Sequence, residues 1–241
     1  MKLLIITGAS KGLGQSLLNL ALNEDYTVLT LSRSKSISHP KHLHINHDLT
    51  KSTGLESKLE RALLKLDLKK LSSLTLIHNA AMIGPIGEID TFKVQDMESH
   101  LKLNLLIPMV LSSWLMRTFK KRKCPITIGS ISSGAATRPI SNWSLYCSTK
   151  SALQMFTECL SNDYRERPHF RAFSFSPGVM DTQMQSTIRS QKKRNFKELE
   201  RFRELKQKNQ LLSPDKVALG LFSLINNPQT INELHYDIRK L

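Results

Sequence analysis

The chain has 241 residues, 40% of them hydrophobic, and a formal net charge of +15. No run approaches the roughly 20 apolar residues of a membrane span, and the amino-terminal segment lacks the apolar region and cleavage site of a secretory signal. The cysteines at 124, 147 and 159 lack metal-ligand spacing, which is typical of reduced thiols. We therefore expect a cytoplasmic protein with no membrane partner and no metal.

The positive charge is concentrated in two stretches, 120–123 and 189–208. Clustered Lys and Arg neutralise phosphates in nucleic-acid-binding proteins. No zinc-finger spacing, aromatic RNA-binding motif or basic zipper accompanies these stretches. The alternative is a solvated basic surface, and we expect no nucleic-acid partner.

Short apolar runs alternate with helical patterns along the chain. In chain order, the predicted strands are 3–7, 27–31, 43–46, 74–78, 125–129, 170–176 and 234–238. The predicted helices are 12–23, 55–66, 96–120, 145–163 and one that begins at Ser213-Pro214. Such alternation over 1–241 predicts one α/β domain, a doubly wound Rossmann-type parallel sheet of about seven strands in the order 3-2-1-4-5-6-7, with helices on both faces.

Residues 181–212 interrupt this alternation, because they are too long for an ordinary connection between a strand and a helix. Their place after the carboxyl end of a strand predicts a substrate lid within the same domain. Four apolar residues spaced three apart predict one helix with an apolar face: Phe196, Leu199, Phe202 and Leu205.

A glycine-rich loop joins the first predicted strand to the first helix. Glycines there permit a tight turn and a close approach of backbone to a pyrophosphate, and the helix amino terminus favours negative charge. This placement predicts a dinucleotide-binding loop. The residues expected to contact the cofactor are Gly8, Ser10, Lys11, Gly12, Leu13 and Gly14.

The second predicted strand is followed by Arg33, at the place where NAD-binding sites usually carry an acid. A guanidinium pairs with the 2′-phosphate of NADPH, whereas an acid repels it. Lys11 adds a second cation within reach. We therefore expect NADPH/NADP⁺ as the cofactor; a solvated surface charge is the alternative for Arg33.

Two further segments are expected beside the cofactor. Asp48, followed by Leu49, comes after the third strand and is placed to accept from the adenine amino group; a helix-capping aspartate is the alternative. Small residues after the fourth strand let the cofactor lie against backbone. They are Asn79, Ala80 and Ala81.

Tyr146 and Lys150 are four residues apart, so in a helix they share one face. An isolated tyrosine, with a pKa of ~10, is a reluctant proton donor and acceptor at neutral pH. A neighbouring ammonium, together with the positive nicotinamide ring of the oxidised cofactor, favours the phenolate and lowers that pKa. A tyrosine tuned in this way can give a proton to a carbonyl oxygen as hydride reaches the carbon.

In order and spacing, these motifs resemble the classical short-chain dehydrogenase/reductase family over essentially the whole chain. The matching residues are Thr7 to Gly14, Asn79-Ala80-Ala81, Asn104, Ser133, Tyr146 with Lys150, and Pro177-Gly178. The resemblance implies that Ser133 hydrogen-bonds the substrate carbonyl, Tyr146 is the acid, and Lys150 holds the nicotinamide ribose and tunes Tyr146. Ser132 is the rival serine. A homodimer or homotetramer is also implied.

The resemblance further implies that Asn104 holds a water that links Lys150 to solvent. Pro108 gives this a physical basis, since it has no N–H and leaves the carbonyl of Asn104 without its helical partner. An ordinary proline kink is the alternative. Near the other end of the cofactor, the family resemblance places Pro177, Gly178, Val179 and Thr182 beside the carboxamide.

Within the family, segments 5–15, 79–85 and 177–185 resemble the bacterial benzil reductases and sepiapterin reductase. The resemblance implies reduction of one carbonyl of a 1,2-dicarbonyl compound. Asp237 either matches the aspartate that anchors the pterin in sepiapterin reductase or ends a strand. The alternative function is a non-catalytic NADPH-binding regulator on the same fold, although such proteins usually lose the Tyr or the Lys.

The walls of the substrate site are expected to be apolar, which fits an aromatic or hydrophobic carbonyl compound. The side chains predicted to form them are Ile83, Trp143, Met180 and Met184, with Ile188 and Phe196 from the lid.

Overall fold

The computed structural model describes residues 1–35 and 37–241, Arg194 by its backbone alone. The strands are β1 (Lys2–Thr7), β2 (Thr27–Ser32), β3 (His42–Asn46), β4 (Ser73–His78), β5 (Ile126–Ile131), β6 (Phe170–Ser176) and β7 (His235–Asp237). The helices are α1 (Gly12–Asn23), α2 (Leu55–Leu63), α3 (Val94–Leu101), α4 (Ile107–Thr118), α5 (Ser144–Asp163), α6 (Gln183–Arg189), α7 (Leu199–Gln207) and α8 (Pro214–Asn226).

The seven strands form one parallel sheet in the order β3-β2-β1-β4-β5-β6-β7, as predicted. Ile5 at its centre is in register with Leu29 of β2 and Leu76 of β4. Strands β1, β2 and β5 are buried along almost their whole length, because helices cover both faces of the sheet. Helices α2 and α4 pack on one face, and α1 and α8 on the other.

The chain reverses its direction of winding between β1 and β4, which are neighbours in the sheet but are separated by β2 and β3 in the sequence. In an open α/β sheet, ligands bind outside the carboxyl ends of the strands at such a point. The fold therefore brings the loop after β1 and the segment after β4 to one crevice.

Two predicted helices are different in the structure. The helix predicted at 96–120 is divided into α3 and α4 by a π-helical turn, Lys102–Leu106, in which the N–H of Ile107 bonds to the carbonyl of Lys102. Pro108 lies in the first turn of α4, where no N–H is needed.

The segment 181–212 contains two short helices, α6 and α7, instead of the single helix predicted from its apolar spacing. Phe196 precedes α7 and is fully buried together with Leu199. The isolated bridge between Met180 and Leu212 joins the two ends of this segment. Among the described residues, no helix is long and apolar enough to cross a membrane.

Candidate active site

A cleft of about 1110 Å³ lies at the carboxyl ends of the strands. This volume exceeds the roughly 300–1,000 Å³ typical of a pocket for one small ligand. The predicted cofactor residues that line it are Gly8, Ser10, Lys11, Gly12, Leu13, Arg33, Asp48, Leu49, Asn79, Ala80, Ala81, Pro177, Gly178, Val179 and Thr182. Ser133, Tyr146, Lys150, Ile83, Trp143, Met180 and Met184 line it as well, whereas Gly14 and Asn104 lie behind its wall.

The glycine-rich loop is held by the side chain of Asn79, just after β4. Gly8 has a φ of +71°, and the amide of Asn79 donates to the carbonyls of Thr7 and Gly8 at 3.0 and 2.9 Å. A Cβ on Gly14 would lie 2.4 Å from the carbonyl oxygen of Gly8. Gly14 therefore permits α1 to pack against the loop. It does not face the cleft, so the prediction that Gly14 contacts the cofactor is not met by its position.

The amino terminus of α1 opens on the cleft. Its N-cap residue, Lys11, makes no side-chain capping bond within the described chain, and no acidic residue stands in the first turn. Gly12 faces the Cγ2 of Thr182 across the cleft, 3.4 Å from where a Cβ would be. Free N–H groups, a narrow passage and an uncompensated Lys11 suit a pyrophosphate, so these residues fit a dinucleotide.

The cleft is also lined by Arg33, exposed just after β2, and by Asp48. Asp48 accepts from the backbone N–H and hydroxyl of Thr50 at 3.0 and 2.9 Å, and these bonds, with a smaller effect of Arg33, hold its pKa below the usual value. Asp48 does not cap α2, because Gly54 occupies that N-cap. It closes a turn, and its other carboxylate oxygen has no partner among the described residues.

The three groups predicted for the reaction meet in the middle of the cleft. Ser133 follows β5, and Tyr146 and Lys150 share one face of α5. The Ser133 side chain lies close enough to Tyr146 to lower the pKa of the phenol, and its hydroxyl oxygen accepts from the N–H of Ala135 at 3.2 Å. The ammonium of Lys150 donates to the carbonyl of Ile131 at 2.7 Å and lies 5.7 Å from the centre of the Tyr146 ring. The rival Ser132 instead faces Gln154 at 3.5 Å.

The sequence predicted a lowered pKa for Tyr146. The groups of the protein, without a cofactor, have the opposite effect and raise it. Tyr146 is only 6% exposed, and burial raises its pKa to about 12, with only a partial opposing effect of Ser133. Lys150 does not offset this, because its ammonium points at Ile131 and burial lowers its own pKa to about 8. At neutral pH the phenol is therefore a protonated acid beside a lysine that holds its charge less firmly than usual.

Asn104 lies in the π-helical turn, and both polar atoms of its side chain are hydrogen-bonded. Its Oδ1 accepts from the N–H of Met82, and its Nδ2 donates to the carbonyl of Met82, both at 2.9 Å. It also donates to the Nε2 of His100 at 2.7 Å. The side chain thus joins the turn to the segment after β4, and the backbone carbonyl is the part of Asn104 on which a water relay would depend.

A profile of the short chain dehydrogenase family matches residues 2–193. The chain belongs to this family. As a short-chain dehydrogenase it is an oxidoreductase, which agrees with the resemblance seen in the sequence.

Similar proteins cover almost the whole of this short-chain dehydrogenase. Benzil reductase ((S)-benzoin forming) of Bacillus subtilis (strain 168) is 40% identical, covering 100% of this chain and 99% of that protein. Sepiapterin reductase of Bos taurus is 29% identical, covering 98% and 93%. The crystal structure of the KRED1-Pglu enzyme is 30% identical with a TM-score of 0.82, covering 98% and 100%.

Aromatic side chains form one wall of the substrate half of the cleft. Trp143 meets Tyr146 edge to face at 5.6 Å and stacks on Phe196 at 5.1 Å, with the planes 3° apart. Phe196 does not line the cleft as predicted, because it lies behind Trp143. Phe202, from α7, lines the cleft in its place. Ile188 of α6 lines it as predicted.

The segment 181–212 is tied to the cleft by polar contacts at its ends. Asp181 pairs with Lys206 at 2.6 Å, and the N–H of Leu212 donates to the carbonyl of Val179 at 2.9 Å. The buried amide of Gln185 donates to the carbonyl of Phe202 at 3.2 Å, which joins α6 to α7. These contacts hold the aromatic residues of the segment against Trp143.

Asp237 ends β7 at the edge of the cleft and forms a two-oxygen pair with Arg239. This pairing lowers the pKa of Asp237 and engages both of its oxygens. Asp237 is the last residue of β7, and its carboxylate is occupied by Arg239. Arg239 would have to move before Asp237 could bind a substrate.

Sequence reasoning missed several residues that build the site. Thr7 accepts at its hydroxyl from the N–H groups of Asn79 and Ala80, both at 3.0 Å. His100 and Thr149 join the neighbourhood of Asn104 to α5. The one signal for His100 was its spacing of four from Asn104, which puts both on one helix face.

Proposed function

We propose that this short-chain dehydrogenase is an NADPH-dependent carbonyl reductase that reduces a ketone, one carbonyl of a 1,2-dicarbonyl compound. The observation that carries the proposal is the meeting of Ser133, Tyr146 and Lys150 in one cleft with the glycine-rich loop. The curated relatives named as benzil reductases support the choice of reaction.

The loop from Gly8 to Leu13 and the amino terminus of α1 would hold the pyrophosphate, and Asn79 keeps that loop in place. Arg33 and Lys11 would bind the 2′-phosphate, which favours NADPH over NADH. Asp48 and Leu49 would lie beside the adenine, and Val179 and Thr182 beside the carboxamide. The chemistry that the cofactor supplies is the hydride delivered to the carbonyl carbon.

Tyr146 would donate its phenolic proton to the carbonyl oxygen. A pKa of about 12 keeps this proton in place at neutral pH, so the acid is present whenever a carbonyl compound binds. Ser133 would donate a second hydrogen bond to the same oxygen. These two donors would stabilise the negative charge that develops there.

Lys150 would hold the ribose hydroxyls and favour the phenolate left after proton transfer. The carbonyl of Ile131 already fixes the direction of its ammonium. Asn104 would hold the water that returns a proton from solvent to Lys150, through its backbone carbonyl.

The substrate would lie between Tyr146 and the apolar wall formed by Ile83, Trp143, Met180 and Met184. We propose that 181–212 is a lid, since α6 and α7 supply Ile188 and Phe202 to the same wall. An uncharged aromatic diketone fits this surface, because its rings can pack on Trp143 and Phe202.

We also propose that the protein is cytoplasmic and forms a homodimer or homotetramer. Exposed apolar side chains on adjoining elements support self-association: Leu101, Leu106 and Met155 are 43%, 43% and 58% exposed.

Steady-state reduction of benzil tests this function. The purified protein is expected to consume NADPH with benzil and to form the hydroxy ketone, with much slower turnover when NADH replaces NADPH. Absence of NADPH consumption with benzil and with a panel of aliphatic diketones, in a protein that binds NADPH, would contradict the proposal.

A further inference from the structure

His100 is a buried titratable side chain next to the proposed reaction centre, and the chemistry described so far does not use it. It is fully buried on α3, does not line the cleft, and its ring meets Tyr146 edge to face at 6.2 Å. Its two ring nitrogens each have partners within hydrogen-bonding distance. A buried imidazole with partners on both sides holds a definite orientation.

The backbone of Met82 determines which proton His100 carries. Because the N–H of Met82 must donate, the atom of Asn104 that it meets at 2.9 Å is the amide oxygen, and the other amide atom is Nδ2. That Nδ2 donates to the carbonyl of Met82 and also lies 2.7 Å from the Nε2 of His100. Nε2 therefore accepts, and it cannot carry a proton without placing two donors face to face.

The other ring nitrogen completes the assignment. Nδ1 lies 2.7 Å from the carbonyl of Gly84, which can only accept, so the single ring proton is on Nδ1. Burial lowers the pKa of His100, the bond to Gly84 partly opposes this, and the charge of Lys150 lowers the pKa further. The imidazole is thus neutral, with its lone pair directed at Asn104.

The same lone pair faces the helix that carries the reacting groups. The hydroxyl of Thr149, next to Lys150 and three residues after Tyr146, lies 3.0 Å from Nε2 of His100. The hydroxyl also reaches the carbonyls of Leu145 and Tyr146 at 3.0 and 3.1 Å. The hydroxyl has a single proton and can donate fully to only one of these three acceptors; donation to Nε2 is the arrangement that joins α5 to Asn104 in the π-helical turn.

We propose that His100 is a positioning residue, whose neutral Nε2 holds the π-helical turn and α5 in the register that sets Tyr146 and Lys150 against the Asn104 carbonyl. The role rests on the function proposed above, because it acts through Tyr146 and Lys150. His100 itself touches neither the cleft nor the reacting atoms. Its loss should affect the rate of the reaction step more than the binding of either ligand.

Two substitutions separate the nitrogens of His100. The side-chain amide of asparagine reaches the place of Nδ1, and that of glutamine reaches the place of Nε2. His100→Gln therefore keeps an acceptor for Asn104 and Thr149, whereas His100→Asn keeps only the partner for Gly84. Both variants replace the neutral imidazole with a neutral amide in the same buried space, so they do not differ in charge; they differ by one methylene group and in which ring nitrogen the amide replaces.

The test measures kcat, KM for benzil and the NADPH dissociation constant in the full-length variants. His100→Asn is expected to lower kcat at least about tenfold, because buried acceptors of this kind each affect equilibria by about that factor. KM and NADPH affinity should change by no more than about twofold, and His100→Gln should recover kcat to within about threefold of the wild type. Equal kcat losses in the two variants, or a parallel loss of NADPH binding, would overturn the proposal.

Thr149→Val tests the same contact with His100 if the His100→Asn variant does not fold. It removes only the hydroxyl and is expected to lower kcat about threefold or more with KM unchanged; an unchanged kcat would overturn the role. Tyr146→Phe, measured in parallel, separates the two proposals. If Tyr146→Phe turns over normally, the proposed chemistry fails, whereas an inactive Tyr146→Phe beside a fully active His100→Asn refutes the positioning role alone.

Discussion

The cofactor half and the substrate half of the cleft are built by different means. The cofactor half is mostly backbone: the glycine-rich loop, the end of α1 and the small residues after β4. The substrate half consists of large side chains, among them Trp143 and Phe202, that come from α5 and from the segment 181–212. Backbone geometry tolerates almost no change, while a wall of side chains can be altered without loss of the fold.

The largest expected effect comes from Gly14→Ala in the cofactor half. The new Cβ would lie 2.4 Å from the backbone oxygen of Gly8, which cannot move without displacing the loop. We expect the free energy of unfolding to fall by about 1–3 kcal/mol and, because the loop is the proposed pyrophosphate contact, NADPH affinity to fall by about 100-fold or more. Chemical denaturation and NADPH titration measure these two quantities.

Gly54→Ala is the matched control for that substitution. Unlike Gly14, Gly54 has a positive φ, +73°, and a Cβ there meets nothing within 4 Å. It should cost about 1 kcal/mol of backbone strain and leave NADPH affinity unchanged. If Gly14→Ala and Gly54→Ala bind NADPH equally well, then the backbone of the glycine-rich loop does not limit the cofactor half of the cleft, and the proposed difference between the two halves is wrong.

The next effect concerns the choice of cofactor. Arg33→Ala is expected to weaken NADPH binding by about 1.5–3 kcal/mol, the usual value of a hydrogen bond to a charged group, and to leave NADH binding nearly unchanged. Lys35→Ala removes the same charge two residues away, outside the cleft, and should affect neither. Isothermal titration with both dinucleotides measures the difference; equal losses for NADPH and NADH would refute the role of Arg33.

The pH dependence should follow Lys150. Its pKa is lowered to about 8 by burial, so its ammonium is present below that pH and lost above it. Tyr146, with a pKa of about 12, keeps its proton throughout. We expect kcat/KM for benzil to fall as pH rises above about 8, approaching tenfold per pH unit. Rates between pH 6 and 10, with circular dichroism at each pH to confirm folding, measure this; a flat profile is inconsistent with a required ammonium.

The smallest effect belongs to the substrate half. Phe196→Leu removes the stacking contact behind Trp143, which is worth about 0.5–1.5 kcal/mol beyond the buried area. We expect KM for benzil to rise by about three- to tenfold, with NADPH affinity and kcat little changed. A change in NADPH affinity as large as the change in KM would show that the two halves do not behave independently.

The same contrast explains what the sequence could predict. The sheet order and the proposed cofactor residues follow from local patterns, since β1 is followed by Gly8, β2 by Arg33 and β4 by Asn79 and two alanines. The π-helical turn, the break in the lid and the place of Phe196 depend on packing between distant segments. The raised pKa of Tyr146 likewise depends on burial by Trp143 and His100, which no spacing reveals.

The most direct test of the central claim, that Tyr146 protonates a carbonyl compound, is a single-turnover reaction of the enzyme–NADPH complex with benzil. Tyr146→Phe should bind NADPH normally but lose at least about 10²-fold in the rate of NADPH oxidation, as expected when a general acid is removed. Tyr164→Phe makes the same change outside the cleft and should react as the wild type does. A Tyr146→Phe complex that oxidises NADPH at the wild-type rate would contradict the account.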